Sequence, residues 1–245
     1  MTLIQVINPN TSRAMTEGIA RTAREVAGPG VTVKAVTSAT GPTSIESHYD
    51  EALAVPGVLA AVRDGERTGA AAHVIACFGD PGLHAAREIA GGPVVGIAEA
   101  AMHMAMLLGR SFSVVTTLSR TVGHTSDLAA SYGTTAACAG VRACDLPVLE
   151  LDSPDARRLI GKACAEVLAA DGCDVIVLGC AGMTGLAAVL TAQLGVPVID
   201  GVAAAVKLAE SLVALGLRTS KRDEYAPPPP KPISGPLAEF TLTGA

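Results

Sequence analysis

Tryptophan is absent, and only three phenylalanines and three tyrosines occur in 245 residues. So few flat rings leave little for nucleic-acid bases to stack on. The net charge of −5, with no basic cluster, argues against such a partner as well. No apolar stretch reaches the ~18–20 residues that a membrane-spanning helix needs. The opening MTLIQVINPN enters a strand at once, with neither a basic leader region nor a small-residue cleavage site, so a cytoplasmic protein is expected. Among six cysteines there is no C-x-x-C pair, and no histidine stands at zinc-ligand spacing beside two of them. Neither disulfides nor a metal are therefore expected. A G-x-G-x-x-G turn after the first strand, a Walker sequence and an evident Schiff-base lysine are all missing, which points to chemistry without a cofactor.

What the chain does have is small aliphatics: 49% of it is hydrophobic, mostly Ala, Val, Leu and Ile. It also has an internal echo. Ala71 to Leu83, AAHVIACFGDPGL, aligns with Asp174 to Leu186, DVIVLGCAGMTGL, so that Cys77 falls on Cys180, Gly79 on Gly182 and Gly82 on Gly185. Each copy is a short Val/Ile-rich run, a cysteine, and a glycine-punctuated turn into a helix. Such runs between helical periods are buried parallel strands, and ligands bind at the carboxyl ends of strands in these folds.

The chain in order supports a duplicated, doubly wound α/β architecture. Leu3 to Ile7 reads as a strand, followed by a helix with Met15, Ile19, Ala23 and Val26 on one face. Val31 to Val36 is a second strand, and Thr37 to Ser47 a loop of small hydroxyl residues. Helical sequence follows to Arg67, with a break expected at Pro56-Gly57. Ala72 to Cys77 and Val94 to Ile97 are strands, each followed by a helix. The second half repeats the order, with strands expected at Phe112 to Thr116, Leu146 to Leu151, the second cysteine run, and Val196 to Ile199. Ser153-Pro154-Asp155 is a strong helix start. The division expected is a first lobe of residues 1–96 plus 201–218, a second of 97–200, and a proline-rich tail, 219–245. The tail is either a loose linker or an arm laid across another surface.

Free cysteine often behaves as a small hydrophobe, which suffices for Cys138, Cys144, Cys164 and Cys173. Cys77 and Cys180 differ, because each closes its strand and faces a turn whose N–H groups can stabilise a thiolate or an oxyanion. Two like groups on opposite sides of one carbon suit racemisation: one thiolate removes a proton from one face while the opposite thiol delivers one to the other.

INPNTS, SATGPTSIES, ACFGDPGL and VLGCAGM, in that order, together resemble the hydantoin/allantoin racemase branch of the Asp/Glu racemase superfamily, and YAPPPPKP resembles the tail of its hydantoin-specific members. The resemblance covers the whole chain. It implies two pseudo-symmetric Rossmann-like lobes, each a roughly four-stranded parallel sheet flanked by helices, with the active site between them. It further implies cofactor-independent racemisation at C5 of a 5-substituted hydantoin, with Cys77 and Cys180 as the bases. By position, Asn10, Thr11, Thr116 and Thr117 are expected to hydrogen-bond the ring, and Phe78, Gly79, Asp80, Ala181 and Gly182 to surround its carbonyls. A homo-oligomer is expected.

Amino-acid racemases of the superfamily carry a Cys-Asn-Thr type motif and need cations for their substrates' carboxylates. Here Cys77 is followed by Phe-Gly-Asp, and neither cysteine loop contains Arg or Lys. A cyclic amide fits better, with Asp80 as readily a helix cap as a ligand group. Glu46 and His48 are secondary candidates for shaping the pocket, and Tyr49 for an apolar wall. His73, His84 and His103 read as structural, and His124 as a helix-start residue. Three alternatives stay open: allantoin racemase, a related decarboxylase or isomerase, and a non-catalytic small-molecule binding protein.

Overall fold

The computed structural model describes residues 1–242. Strands and helices alternate: β1 (Thr2–Asn8), α1 (Arg13–Val26), β2 (Val31–Thr37), α2 (His48–Arg67), β3 (Ala72–Ile75), α3 (Leu83–Ile89), β4 (Val94–Gly96) and α4 (Ile97–Ala105). The second series is β5 (Phe112–Thr116), α5 (Val122–Ser131), β6 (Cys138–Ala143), α6 (Pro154–Asp171), β7 (Val175–Gly179), α7 (Ala187–Leu194), β8 (Val198–Asp200) and α8 (Gly201–Ala214). The two sheets have the same order, β2-β1-β3-β4 and β6-β5-β7-β8, and every pairing is parallel.

Strand side chains alternate between faces, and both faces of each sheet are covered by helices. Ile4, Val6 and Val74 pack with residues of α1, α4 and α8, whereas Ile7 and Ile75 pack with Val58 and Val62 of α2 and Leu83 of α3. In the second sheet Val114, Val175 and Val177 join the former cluster, and Val115, Ile176 and Leu178 pack with Ile160, Cys164 and Leu190. One continuous core therefore reaches from β1 to β7, with the Ala-rich helices α4 and α8 packed on each other within it.

Two expectations fail in instructive ways. Leu146 to Leu151 is not a strand; β6 is Cys138–Ala143 instead. Asp145 adopts a left-handed backbone (φ 51°), Pro147 has no N–H to give a ladder, and Val148–Glu150 is a single 3-10 turn. The expected break at Pro56-Gly57 is also absent, because α2 runs unbroken through Pro56. Gly57 serves a close approach: a Cβ there would come 2.0 Å from Ser38 Oγ.

The proline-rich segment lies across α2 and α3. Arg63 donates to the Glu239 carbonyl at 2.6 Å and lies over the Phe240 ring, Tyr225 stacks on His84, and the Lys221 ammonium donates to the Arg87 and Glu88 carbonyls.

Candidate active site

Both cysteines follow the carboxyl ends of corresponding strands, Cys77 after β3 and Cys180 after β7. They line one cavity, together with Ile45, Glu46, His48, Glu51, Phe78, Gly79, Thr116, Thr117, His124 and Val148. Its volume is about 150 Å³, below the ~300–1,000 Å³ typical of drug-sized ligand sites. A small ring is matched in scale to such a space.

The walls come from both halves. Thr116 ends β5 and Thr117 follows it; both are buried, with Thr116 Oγ1 2.9 Å from Thr121 Oγ1. The loop after β2 reaches across to the second half, where Glu46 Oε1 accepts the Val148 N–H at 2.8 Å. The turn that displaced the expected strand thus forms part of the cavity wall.

Burial pushes the Cys77 thiol up; a hydrogen bond from the Gly79 backbone pulls it down, and negative charge on Cys180, Glu51 or Asp80 pushes it further up. Cys180 is pushed up to about 12, chiefly by burial, against the Gly182 N–H, which donates to Sγ at 3.3 Å. Cys144 and Glu46 raise it further. Each sulfur is thus disfavoured as an anion by lost solvation and favoured by an amide of its own turn.

The remaining expected site residues divide. Phe78 and Gly79 line the cavity, as do Glu46 and His48. Asn10 and Thr11 do not: Asn10 Oδ1 accepts from Ser12 N–H and the Asn8 side chain, and Thr11 bonds to the Pro42 carbonyl. Asp80 caps α4 rather than the helix that follows it. Its carboxylate accepts the N–H groups of Ala98 (3.1 Å) and Glu99 (2.9 Å) and the Tyr132 hydroxyl (2.7 Å), while burial pushes it up to about 7. Ala181 and Gly182 line a separate hollow against α1, and Tyr49 is largely exposed.

Two cavity residues escape a linear reading. Glu51 lies one turn after His48 on α2, and His124 lies in the first turn of α5 with its ring toward Glu51. The start of α2 has a local signature, Ser47-x-x-Asp50, in which Ser47 Oγ caps the Asp50 N–H. It fixes where the helix begins, and hence that residues 48 and 51 share a face. Nothing local places His124 opposite them.

The sequence pattern of the Asp/Glu/hydantoin racemase family matches residues 4–209. The chain belongs to that family. A hydantoin racemase of Rhizobium meliloti is 50% identical over 234 residues, covering 95% of this chain and 97% of that one. A second, from Pseudomonas sp. (strain NS671), is 47% identical over 97% of this chain and 96% of its own length. The solved allantoin racemase from Klebsiella pneumoniae superposes with a TM-score of 0.97 at 53% identity, covering 99% of this chain and 100% of that chain. Membership makes this Asp/Glu/hydantoin racemase family chain an isomerase of the racemase type.

Proposed function

We propose that this protein racemises 5-monosubstituted hydantoins at C5 by a two-base transfer between Cys77 and Cys180, without a cofactor. The observation that carries the proposal is that cysteines from equivalent strand ends line one small cavity. The Cys77 thiolate takes the C5 proton, and the electron pair left behind spreads onto the neighbouring ring carbonyl as an enolate. The Cys180 thiol then gives its proton to the opposite face of C5. The enzyme is left with a thiol at Cys77 and a thiolate at Cys180, and exchange with solvent restores the starting form. The opposite enantiomer runs the same steps with the roles exchanged.

Of the two roles expected for the loop amides, the N–H of Gly182 takes the one toward sulfur, since it is directed at Cys180 Sγ. The Thr116 and Thr117 hydroxyls, which line the cavity, are assigned to the enolate oxygen. A 5-ureido substituent is the second candidate, favoured by the 53% identity to an allantoin racemase.

The test is to make Cys77→Ser and Cys180→Ser separately. Each loses interconversion, yet each still exchanges the C5 proton with deuterium from solvent, for opposite enantiomers. A single variant that racemises at the parental rate overturns the scheme. Optical-rotation decay of 5-benzyl, 5-alkyl and 5-ureido hydantoins ranks the substituents.

A further inference from the structure

The rim of the cavity holds three side chains that the proton transfer does not use. His48 and Glu51 stand one turn apart at the start of α2, and His124 stands in the first turn of α5. Glu51 offers one carboxylate oxygen to each imidazole: Oε1 lies 3.0 Å from His124 Nε2, and Oε2 lies 3.6 Å from His48 Nδ1. One ligand atom from each residue falls within 4.8 Å of the other two. Among the described residues, His124 Nε2 is the buried side-chain polar atom left without a hydrogen bond. The Glu51 carboxylate beside it holds the imidazole's pKa above its ordinary value, so the pocket favours positive charge at this point. Gly79, next but one to Cys77, leaves the space open: a Cβ there would come 2.2 Å from Glu51 Oε1 and 3.4 Å from His124 Nε2.

We propose that His48, Glu51 and His124 form a divalent transition-metal site, suited to zinc, whose occupation obstructs the cavity beside Cys77. Two imidazoles and a carboxylate are the donor set that zinc takes with three protein ligands and a remaining open position. Zn–N and Zn–O distances of ~2.0–2.2 Å require donor atoms spaced much as these are, so small side-chain rotations close the site. Calcium and magnesium prefer all-oxygen shells and are poor candidates. His48 is exposed and His124 partly so, which gives an ion a route in from solvent. The bound ion joins the wall that Cys77 shares, and its open position faces solvent or the cavity, so zinc acts as an inhibitor that substrate has to displace.

Free thiols also take zinc, and the test separates the two sources. Calorimetric titration of the full chain with zinc chloride gives one site per chain in the wild type. His48→Ala and His124→Ala each weaken it at least tenfold, and Cys77→Ser leaves it within about twofold. Cobalt in place of zinc gives a visible d–d spectrum without a thiolate-to-metal charge-transfer band. Loss of binding in Cys77→Ser but not in the histidine variants overturns the assignment, as does a thiolate band or the absence of a one-to-one site. Circular dichroism checks that the exposed His48 variant is folded. Racemisation assays form a separate arm: zinc inhibits the wild type and inhibits His48→Ala at least tenfold more weakly. Binding without inhibition overturns the obstruction, and binding that persists where no racemase activity is found counts against the proposed activity, not the metal site.

Discussion

The Gly182 amide donates to the sulfur of Cys180 across 3.3 Å, on the turn that ends β7. That turn holds a group whose charged form it partly stabilises, in a place where burial still pushes the thiol up to about 12. Negative charge on Cys180 in turn helps to raise the Cys77 thiol, after burial. The proposed two-base reaction needs one sulfur as thiolate while the other keeps its proton.

The pH dependence follows from those raised thiols. Their thiolate fraction is small at neutrality and grows with pH, so kcat/KM should rise toward about tenfold per unit between about pH 7 and 9. Polarimetric progress curves in buffers of constant ionic strength measure this. A profile flat across that range would show the thiolate already formed and would remove burial as the governing influence.

Gly79→Ala should impair turnover more than stability. The new Cβ would fall 2.2 Å from Glu51 Oε1, the mobile end of a side chain that can swing away. The displaced carboxylate changes the wall next to Cys77, so activity should drop at least tenfold. Unfolding free energy should shift by less than about 1 kcal/mol, as for most changes outside the core. Paired kinetics and urea melts distinguish this outcome from simple destabilisation.

Asp80 should make stability depend on pH in the less usual direction for a carboxyl group. Burial raises its folded-state value from 3.8 to about 7, so the folded state holds a proton that the unfolded chain has released. The associated stability is fully present below about pH 4 and is lost as pH climbs toward 7, by at most about 4 kcal/mol. Asp80→Asn keeps a residue type tolerated at its positive φ of 44° and cannot titrate. The difference between wild-type and variant unfolding free energies should therefore change across that window. A constant difference would show that the three donors to the carboxylate outweigh its burial.

Gly201→Ala tests the joint between the central helices. A Cβ there would come 2.8 Å from the Ile97 carbonyl oxygen, which belongs to backbone and cannot rotate away. Separating α8 from α4 should cost about 1–3 kcal/mol, the usual range for overpacking a core. Chemical denaturation measures it, and a neutral result would mean that the helices can slide apart freely.

The features most legible in sequence are those with a local cause. The repeated strand–Cys–Gly turn places Cys77 and Cys180 at matching strand ends, and Ser153 caps α6 as its Ser-Pro-Asp motif predicts. Leu146 to Leu151 misleads because its apolar residues imitate a strand, although Pro147 sits within it. The true edge strand, CAGVRA, is only half-buried and shows little hydrophobic contrast. Glu51 and His124 are 73 positions apart in the chain and become neighbours only when α2 and α5 converge from different halves. Strand register makes Asn8, not Asn10, the counterpart of Thr116, and the Asn10 side chain is consumed in its own turn.

The two sulfurs have unlike surroundings: Glu51 and Asp80 bear on one, Cys144 and Glu46 on the other. Mirror-image molecules nonetheless have equal free energies in water, so a catalyst interconverting them must process both with the same kcat/KM. Whatever advantage one sulfur holds therefore appears as a larger kcat matched by a proportionally larger KM. Remodelling either half of the cavity can alter which form saturates first, but it cannot move the final mixture away from equal parts.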